Sequence, residues 1–266
     1  MDSRSPGDGI DQLNADVAWD TFDPAAYIDH NYRHLLAEDQ EIVSVVRRHF
    51  SDHFRRNPGR RIAGIDVGAG ANLYPALSML PWCEEITLLD RSAANVGYLK
   101  SQVEGYDANW DQFWDVLCED ESYTALGDDP RVRFRQAVRV EKGDLFDLAG
   151  RRGHWSMGTM FFVAESLSTS HTEFQGAVES FMRALVPGAP FAAAFMEHSM
   201  GYSVGENHFP ACDISESDVR ESIEGYAGKL ETRHIGQPNV VREGYSGMIV
   251  AWGLRDPDAT AEDPAG

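Results

Sequence analysis

Apolar positions along the chain switch between helical spacing and short continuous runs. The first series, residues 42–54, has helical spacing and stops at residues 57–59, where the sequence Asn-Pro-Gly breaks helices. Short apolar runs at 61–67 and 85–89 are typical of buried strands, and the segment between them, 72–79, returns to helical spacing. The pattern predicts a helix followed by a strand, a helix and a second strand.

The same alternation continues after the second strand. Ser92 stands at the N-cap position of a helix whose apolar face includes Val96, Leu99 and Val103. Further strands are predicted at 138–143, 157–163, 191–196, 229–235 and 247–254, and further helices at 110–123, from 130, at 174–185 and from about 215. Strands that alternate with helices favour parallel pairing and right-handed crossovers. We therefore expect a doubly wound α/β domain with an extra N-terminal helical segment.

Both ends of the chain differ from this pattern. Residues 1–18 and 256–266 are rich in Asp, Gly, Pro and Ala, a composition that buries too little apolar surface to offset chain entropy. We expect both ends to be disordered. No internal repeat or low-complexity linker divides the middle, which predicts a single domain over residues 19–255 whose first part, 19–60, is the N-terminal helical segment.

The net charge of the chain limits the classes of molecule that it is expected to bind. The 266 residues contain 23 Lys and Arg against 43 Asp and Glu, a formal net charge of -20, which repels phosphate backbones and anionic lipids. We therefore expect no nucleic acid or membrane partner, but a cationic or neutral small substrate or a basic protein. The acidity has a second interpretation, solubility or adaptation to salt. Three widely spaced cysteines, no signal peptide and no apolar run of ~18 residues favour a reducing cytoplasm.

A glycine turn after the first strand carries the candidate chemistry. Asp66, Gly68 and Gly70 lie where the first strand of a doubly wound sheet meets its ligand, and Asp90 closes the second strand twenty positions after Gly70. This spacing suits an acidic residue that binds a ribose. Leu73 replaces the third glycine of a dinucleotide fingerprint, which favours S-adenosylmethionine, a cofactor without phosphate. A turn that serves packing alone is the other interpretation.

Five segments of the sequence then resemble motifs of known enzymes. The sequence DVGAG, the helix NLYPAL and the strand ITLLDRSAANVGYL resemble motifs I and II of class I methyltransferases. The segments FDPAAYIDHNY, residues 22–32, and SVGENHF, residues 203–209, are similar to elements of the nicotinamide, phenylethanolamine and indolethylamine N-methyltransferases, in particular an actinobacterial methyltransferase-like branch. The resemblance implies a Rossmann-like fold with a final antiparallel strand, an N-terminal lid over residues 19–60, and S-adenosylmethionine as cofactor.

The resemblance also implies roles for individual residues. The two lid tyrosines cover the cofactor, the glycine turn and Tyr74 contact its methionine end, Asp90 holds its ribose, and the segment KGDLF meets its adenine. The implied cofactor-binding residues are Tyr27, Tyr32, Asp66, Gly68, Gly70, Tyr74, Asp90, Arg91, Asn95, Asp144 and Leu145. The chain departs from the family at Asn31, where a second tyrosine is common, and in a shorter stretch between Met196 and Tyr202.

Methyl transfer from a sulfonium needs alignment and exclusion of water more than it needs a metal, so no metal site is expected. An amine substrate arrives protonated, and a carboxylate near it can orient the cation and receive the proton. Glu197 ends the fifth strand of the sheet and Glu165 follows the fourth, so both are candidate catalytic residues, together with Tyr202. The alternatives are a helix-dipole role for Glu165 and an exposed loop charge for Glu197.

The leading hypothesis is a cytoplasmic S-adenosylmethionine-dependent N-methyltransferase that acts on a small amine or heteroaromatic metabolite, in bacterial secondary metabolism and with S-adenosylhomocysteine as product. One alternative keeps the fold but catalyses an intramolecular amine displacement, an aziridine-type cyclisation. Another is a non-catalytic adaptor that binds S-adenosylmethionine and a partner protein. The intact motif residues argue against the adaptor, whereas methyl transfer and cyclisation are both compatible with the sequence.

Overall fold

The computed structural model describes residues 11–59, 61–127, 129–236 and 246–256. Within them, nine strands form a seven-stranded sheet and a separate hairpin. The strands are β1 Ile62–Val67, β2 Cys83–Asp90, β3 Val138–Lys142, β4 Met157–Phe161, β5 Pro190–Glu197, β6 Tyr202–Val204, β7 Asn207–Phe209, β8 Ala227–Ile235 and β9 Gly247–Arg255. The sheet has the order β3-β2-β1-β4-β5-β9-β8, and β6 and β7 form the hairpin.

The helices begin at capping residues that the sequence marks. Ser92 accepts a hydrogen bond from the Asn95 amide, as predicted, and Ser215 forms a capping box with Asp218. Pro130 opens a short helix. The α-helices of the described residues are α1 Pro24–Asn31, α2 Ala37–Arg56, α3 Tyr74–Met79, α4 Ala93–Val103, α5 Asp111–Leu117, α6 Glu121–Thr124, α7 Pro130–Ala137, α8 His171–Ala184 and α9 Glu216–Glu224.

The sheet confirms the predicted fold class. Strands β1 to β5 pair in parallel, whereas β9 runs antiparallel to both of its neighbours, β5 and β8. The strand order reverses between β1 and β4, which is the point where doubly wound sheets bind ligands. The antiparallel strand lies inside the sheet rather than at its edge, because β8 pairs along its outer side.

The two faces of the sheet bury separate apolar clusters. One face packs against α2, α3 and α5 and includes fully buried aromatic side chains such as Phe50 and Trp110. The other packs against α8 and α9, around Phe174, Phe181 and Val219. Both faces are covered, as expected for parallel strands that are apolar on both sides. No helix among the described residues is long and apolar enough to cross a membrane.

The N-terminal region differs from the sequence-based prediction. Residues 11–18 were expected to be disordered, but the Asn14 side chain is buried and its backbone amide donates to Glu173 at 2.8 Å. Gln12 and Thr169 exchange two further hydrogen bonds. The predicted disorder of residues 11–18 is corrected by these long-range contacts, which composition does not reveal. Residues 1–10 and 257–266, the rest of the predicted disordered ends, lie outside the described residues.

Candidate functional site

A deep cavity opens at the carboxyl ends of β1, β2, β4 and β5. Its space, open mouth included, is about 1210 Å³. Most of the predicted site residues meet in its wall. Those that line the cavity are Tyr27, Tyr32, Gly68, Gly70, Asp90, Arg91, Asn95, Asp144, Leu145 and Tyr202.

The glycine turn after β1 forms the floor of the cavity. Gly68 and Gly70 have backbone φ angles of 63° and 56°, in the left-handed region that favours glycine. A Cβ atom on Gly68 would lie 2.5 Å from Cγ1 of Val163, so no larger residue fits there. At Gly68 and Gly70 the backbone itself therefore lines the cavity and can lie close to a bound ligand.

Asp90 anchors this turn at the end of β2. Its Oδ2 accepts a hydrogen bond from the Gly70 amide at 2.8 Å, and its Oδ1 accepts one from the Ser92 amide at 2.8 Å and one from the Asn95 side chain at 3.3 Å. Burial raises the pKa of Asp90, although these three hydrogen bonds oppose the shift. The carboxyl group lines the cavity with its orientation fixed on both oxygens.

Asp144 closes the cavity beyond the end of β3. Its Oδ1 accepts from the Phe146 amide at 3.0 Å, and its Oδ2 accepts from Arg91 at 2.7 Å and from Asn14 at 3.3 Å. The Arg91 guanidinium is thereby paired with Asp144 rather than directed to a ligand phosphate. Through its hydrogen bond with Asn14, Asp144 links the loop after β3 to the N-terminal residues.

Residues 11–22 and 202–209 together cover the cavity, and we call them the clasp. The Trp19 ring stacks on Phe209 at 5.6 Å between centroids, and the Phe22 ring lies 5.3 Å from Phe209. Asn207 donates to the Thr21 carbonyl at 3.0 Å. The hairpin of the clasp was not predicted, because its two strands have only three residues each and no alternating pattern.

The tyrosines of the site occupy different layers. Tyr27 and Tyr32 line the cavity with their ring centroids 5.7 Å apart. Tyr74 was expected to contact a cofactor, but it lies behind the wall, stacked on Phe113 at 5.3 Å. This position behind the wall corrects the expectation that Tyr74 contacts the cofactor. Tyr74 instead contacts Asp39. The Tyr74 hydroxyl donates to Asp39 Oδ1 at 3.2 Å.

Asp39, on the first turn of α2, is a cavity residue that the sequence analysis missed. It is 3% exposed and lines the cavity. Burial raises its pKa to about 7, with the Tyr74 hydrogen bond opposing and Glu38 adding to the shift. One signal in the sequence marks this residue. Position 39 falls on the same helical face as Ile42 and Val46, so a carboxylate there is predicted to be buried.

Two amide side chains in the wall have polar atoms without a protein partner. Asn72 Nδ2, a donor, and Asn95 Oδ1, an acceptor, are buried and make no hydrogen bond within the described part of the chain. Asn72 was not among the predicted residues. Buried polar groups are nearly always bonded, so a donor and an acceptor left open beside the glycine turn fit a polar ligand.

Asp66 does not reach the cavity, contrary to expectation. It is fully buried between β1 and β4, where its cross-strand neighbour Thr159 donates to its Oδ1 at 2.7 Å. Burial and, to a smaller extent, the Asp90 charge raise its pKa to about 8 while the Thr159 bond opposes the shift. The side chain lies beneath the turn and does not line the cavity, which corrects its expected contact with a cofactor.

The structure also does not bring Glu197 to the cavity. Its Oε2 accepts from His234 at 2.9 Å and from Ser246, and its Oε1 accepts from the Glu216 amide at 3.3 Å. Burial raises the pKa of Glu197, but the hydrogen bonds from Ser246 and His234 outweigh it and lower the pKa. These contacts direct the Glu197 side chain to α9 and β8 instead of the cavity.

Glu165 is likewise outside the cavity wall. It is fully buried, and its Oε1 accepts from the Met196 amide at 3.0 Å and from the Ser166 hydroxyl at 3.3 Å. These contacts join the segment after β4 to the end of β5. The placement of both glutamates corrects the prediction that they face the substrate, whereas Tyr202 does line the cavity, stacked on Phe209.

The charged groups of the wall are predominantly acidic. Among the described residues, those that line the cavity include three carboxyl groups, of Asp39, Asp90 and Asp144, and one cation, Arg91, which is paired with Asp144. The cavity therefore favours a cationic occupant. No group of three or more His, Cys, Asp or Glu side chains that suits a metal ion occurs in residues 11–59, 61–127, 129–236 and 246–256.

Solved structures with the same fold include methyltransferases. The N-methyltransferase NodS from Bradyrhizobium japonicum, solved with S-adenosyl-L-homocysteine, matches with a TM-score of 0.52 and 12% identity, covering 90% of this chain and 95% of that chain. The CurJ carbon methyltransferase matches with a TM-score of 0.53 and 11% identity, covering 91% and 62%. At such identities the similarity shows the fold alone.

Sequence comparisons extend this result to a family. Phenylethanolamine N-methyltransferase from Rattus norvegicus is 25% identical over 272 residues, covering 95% of this chain and 93% of that protein. The enzyme from Mus musculus is 24% identical over 248 residues, covering 86% and 81%. The model of the NNMT/PNMT/TEMT family matches residues 11–241, from the first residues of the clasp to beyond β8. Because this match includes the glycine turn, Asp90 and the clasp, the chain belongs to the NNMT/PNMT/TEMT family of S-adenosylmethionine-dependent methyltransferases.

Proposed function

We propose that the protein transfers a methyl group from S-adenosylmethionine to a nitrogen atom of a small amine or heteroaromatic metabolite. The observation that carries the choice of an amine is the charge of the cavity wall, because no basic side chain of the described residues pairs with the Asp39 or Asp90 carboxyl group. The names of the phenylethanolamine N-methyltransferases, which match most of the chain, support a nitrogen acceptor.

Several residues of the wall fit the cofactor. Asp90 would accept from its ribose hydroxyls, since each carboxylate oxygen retains acceptor capacity beyond the bonds it already makes. Asn72 Nδ2 and Asn95 Oδ1 supply an open donor and an open acceptor next to the glycine turn. Tyr27 and Tyr32 cover the site from α1 and its C-terminal end, and Asp144 and Leu145 line its far end. Bound there, the cofactor supplies an electrophilic methyl group on sulfur.

The protein itself has to exclude water, align the amine with the methyl group and provide for removal of its proton. The clasp excludes water from the reacting groups, and the walls hold the amine in line with the methyl group. A protonated amine must lose a proton before its nitrogen is nucleophilic, and a carboxyl group of the wall can accept that proton directly or through water. Location in the cytoplasm, a role in bacterial secondary metabolism and a partner protein are part of the same proposal, and rest on composition and resemblance.

Two measurements test the proposal. Calorimetric titration with S-adenosylmethionine and with S-adenosylhomocysteine is expected to show binding of both, because the wall offers the same contacts to each. Incubation with S-adenosylmethionine and phenylethanolamine or nicotinamide, followed by mass spectrometry, is expected to show a product heavier by about 14 Da together with S-adenosylhomocysteine.

The alternatives give different results in these measurements. A cyclase releases no S-adenosylhomocysteine, and its product loses the mass of a leaving group. An adaptor binds the cofactor but converts no amine. A folded protein that binds neither S-adenosylmethionine nor S-adenosylhomocysteine contradicts the proposal.

A further inference from the structure

The cavity has a direction along the sheet. Its wall takes Asp144 from the loop after β3, Asp90 from the end of β2, and Gly68 and Gly70 from the turn after β1. These three strands lie side by side in the order β3-β2-β1. With its ribose at Asp90 and its adenine at the far end beside Asp144, as in the proposed function, the cofactor extends its methionine end to the glycine turn.

Described contacts connect Asp39 to this turn. Asn72, two residues after Gly70, lines the cavity, and its Oδ1 accepts from the Tyr74 amide at 3.2 Å. The Tyr74 hydroxyl donates to Asp39 Oδ1 at 3.2 Å. Burial raises the pKa of Tyr74, Asp39 adds to the increase and the Asn72 side chain opposes it, so both groups lie near that hydroxyl. Asp39 therefore lies at the end of the cavity that holds the glycine turn.

The Asp39 carboxyl group has no protein partner that balances its charge. It is 3% exposed and accepts one hydrogen bond, from Tyr74, so within the described residues its Oδ2 keeps unused acceptor capacity. A place in the first turn of a helix favours an acidic residue, but Glu38 already provides a negative charge there, and this role does not require burial in the cavity wall. Burying a carboxyl group costs free energy that one bond to a neutral hydroxyl does not recover. A cationic group of a ligand supplies the missing partner.

The methionine end of S-adenosylmethionine carries an α-carboxylate and an α-ammonium group. Among the described residues that line the cavity, the one basic side chain, Arg91, is paired with Asp144, so the α-carboxylate depends on neutral donors such as Asn72 Nδ2. The α-ammonium group needs an acceptor. Asp66 lies beneath the turn and does not line the cavity, whereas Asp39 does, and its Oδ2 is open.

We propose that Asp39 Oδ2 binds the α-ammonium group of S-adenosylmethionine, while the Tyr74 hydroxyl fixes the carboxyl group through Oδ1. The inference rests on the proposed function and adds to it a residue of α2 that recognises the amino-acid end of the cofactor. The α-carboxylate accompanies the α-ammonium group, so this end of the cofactor brings no net charge. The excess of negative charge in the wall, which carries the choice of an amine substrate, is therefore unchanged.

The ionisation of Asp39 makes cofactor binding depend on pH. Burial raises its pKa to about 7, with the Tyr74 hydrogen bond opposing and Glu38 adding to the shift. An ammonium group binds the ionised carboxyl group, so affinity for the cofactor is expected to increase as the pH rises through about 7. The other side chains around the first turns of α2 are Tyr27 and Tyr32 from α1 and its end, Phe113 from α5, Met196 from β5, Met248 from β9, and Arg233 from β8, which is paired with Glu41.

The test compares S-adenosylhomocysteine with its des-amino analogue, in which hydrogen replaces the α-amino group and the adenosine, thioether and carboxylate are kept. Calorimetric titration of the full chain at pH 8 is expected to show that the wild type binds S-adenosylhomocysteine at least about tenfold more tightly than the analogue, which corresponds to about 1.4 kcal/mol. Asp39→Asn is expected to bind the two ligands within about twofold of each other. Glu41→Gln removes an exposed carboxylate of the same helix outside the cavity wall, and as the matched control it retains the preference.

A pH series separates contact with the ligand from a structural role. The affinity of the wild type for S-adenosylhomocysteine is expected to increase between pH 6 and 8, because Asp39 ionises there. Its affinity for the analogue, and the affinity of Asp39→Asn for S-adenosylhomocysteine, are expected to lack this increase. Tyr74→Phe removes the hydrogen bond that lowers the pKa of Asp39 and is expected to move the increase to higher pH. This second variant keeps the test valid if Asp39→Asn does not fold.

Two outcomes overturn the inference. One is an equal affinity of the wild type for S-adenosylhomocysteine and the des-amino analogue, and the other is a preference for S-adenosylhomocysteine that Asp39→Asn retains. In both cases S-adenosylhomocysteine still binds, so the proposed function stands. A folded wild type that binds neither S-adenosylmethionine nor S-adenosylhomocysteine refutes the proposed function, and this inference with it.

Discussion

The Gly70 amide donates a 2.8 Å hydrogen bond to Asp90 Oδ2, across twenty residues of sequence. This bond joins the turn after β1 to the end of β2, two strands that pair in parallel. It holds Gly70 in a left-handed conformation with a φ of 56°. One carboxyl group therefore shapes the turn and lines the cavity at the same time.

Replacement of Asp90 by alanine is expected to weaken binding of S-adenosylhomocysteine by about 1–3 kcal/mol, or roughly 5- to 150-fold, because a buried partner of polar groups is lost. Calorimetry measures the change. Asp29→Ala removes an exposed carboxylate of α1, whose ion pair with Arg33 lies at the surface, and serves as control. Equal affinities for the Asp90 variant and the wild type contradict the assignment of Asp90 to the cofactor.

Gly68→Ala is expected to lower both stability and cofactor affinity. The residue has a φ of 63°, and the new Cβ would lie 2.5 Å from Val163 Cγ1. Gly97→Ala is the matched control, because this glycine lies in the middle of α4 with no atom within 4 Å of a new Cβ. The control is expected to gain about 0.5–1 kcal/mol of stability from helix propensity. Thermal unfolding with and without S-adenosylhomocysteine measures both effects, and similar behaviour of the two variants contradicts the argument.

Asp66 is expected to make the protein less stable as the pH rises. Its pKa is raised from 3.8 to about 8 in the folded state, so between these values the native protein binds a proton that the unfolded chain releases. The free energy of unfolding therefore falls with increasing pH in this window, by up to about 1.4 kcal/mol per pH unit from this group. Asp66→Asn is expected to remove that part of the slope.

Urea unfolding of the wild type and Asp66→Asn between pH 5 and 8 measures the difference in the free energy of unfolding. The stability of the variant relative to the wild type is expected to increase with pH. Asp29→Asn, on the surface of α1, controls for the loss of one negative charge. A constant difference between Asp66→Asn and the wild type across this range shows that Asp66 does not bind a proton in the folded state.

Glu197→Gln is expected to lower stability without affecting the cavity. The carboxylate accepts from His234 and Ser246, so its replacement costs about 1–3 kcal/mol of unfolding free energy at neutral pH. Because the pKa of Glu197 is lowered by folding, this contribution is present above its unfolded pKa and is lost as the pH falls. The affinity for S-adenosylhomocysteine is expected to match that of the wild type, and a loss of this affinity would contradict the placement of Glu197 outside the cavity wall.

The fold and one end of the site were predictable from the sequence for local reasons. Apolar periodicity and the caps Ser92 and Ser215 depend on residues a few positions apart, so the order of strands and helices follows from the chain itself. The carboxyl ends of parallel strands lie at one edge of the sheet, which brings the glycine turn and Asp90 together without further information. Asp144, after β3, reaches the same edge for the same reason.

The other end of the cavity depends on contacts between distant segments. Glu197 ends β5 as predicted, but β8 and α9 provide His234 and the Glu216 amide, which turn its side chain away from the cavity. Asp39 lines the cavity because α2 packs against the sheet and α3, where the Tyr74 hydroxyl donates to its carboxyl group. The spacing of residues along the chain predicts that Asp39 is buried, but it predicts neither the contact of Asp39 with the cavity nor the orientation of Glu197.

The sequence by itself determined the doubly wound sheet, the glycine turn and the carboxyl group that anchors it, because each follows from periodicity and strand ends. Only the tertiary structure decided which carboxyl groups line the cavity and how the clasp covers it. The Trp19 and Phe209 rings are 190 residues apart in sequence and stack at 5.6 Å. The physical reason is that burial and hydrogen-bond partners of a side chain are set by the elements packed against it, which local sequence does not specify.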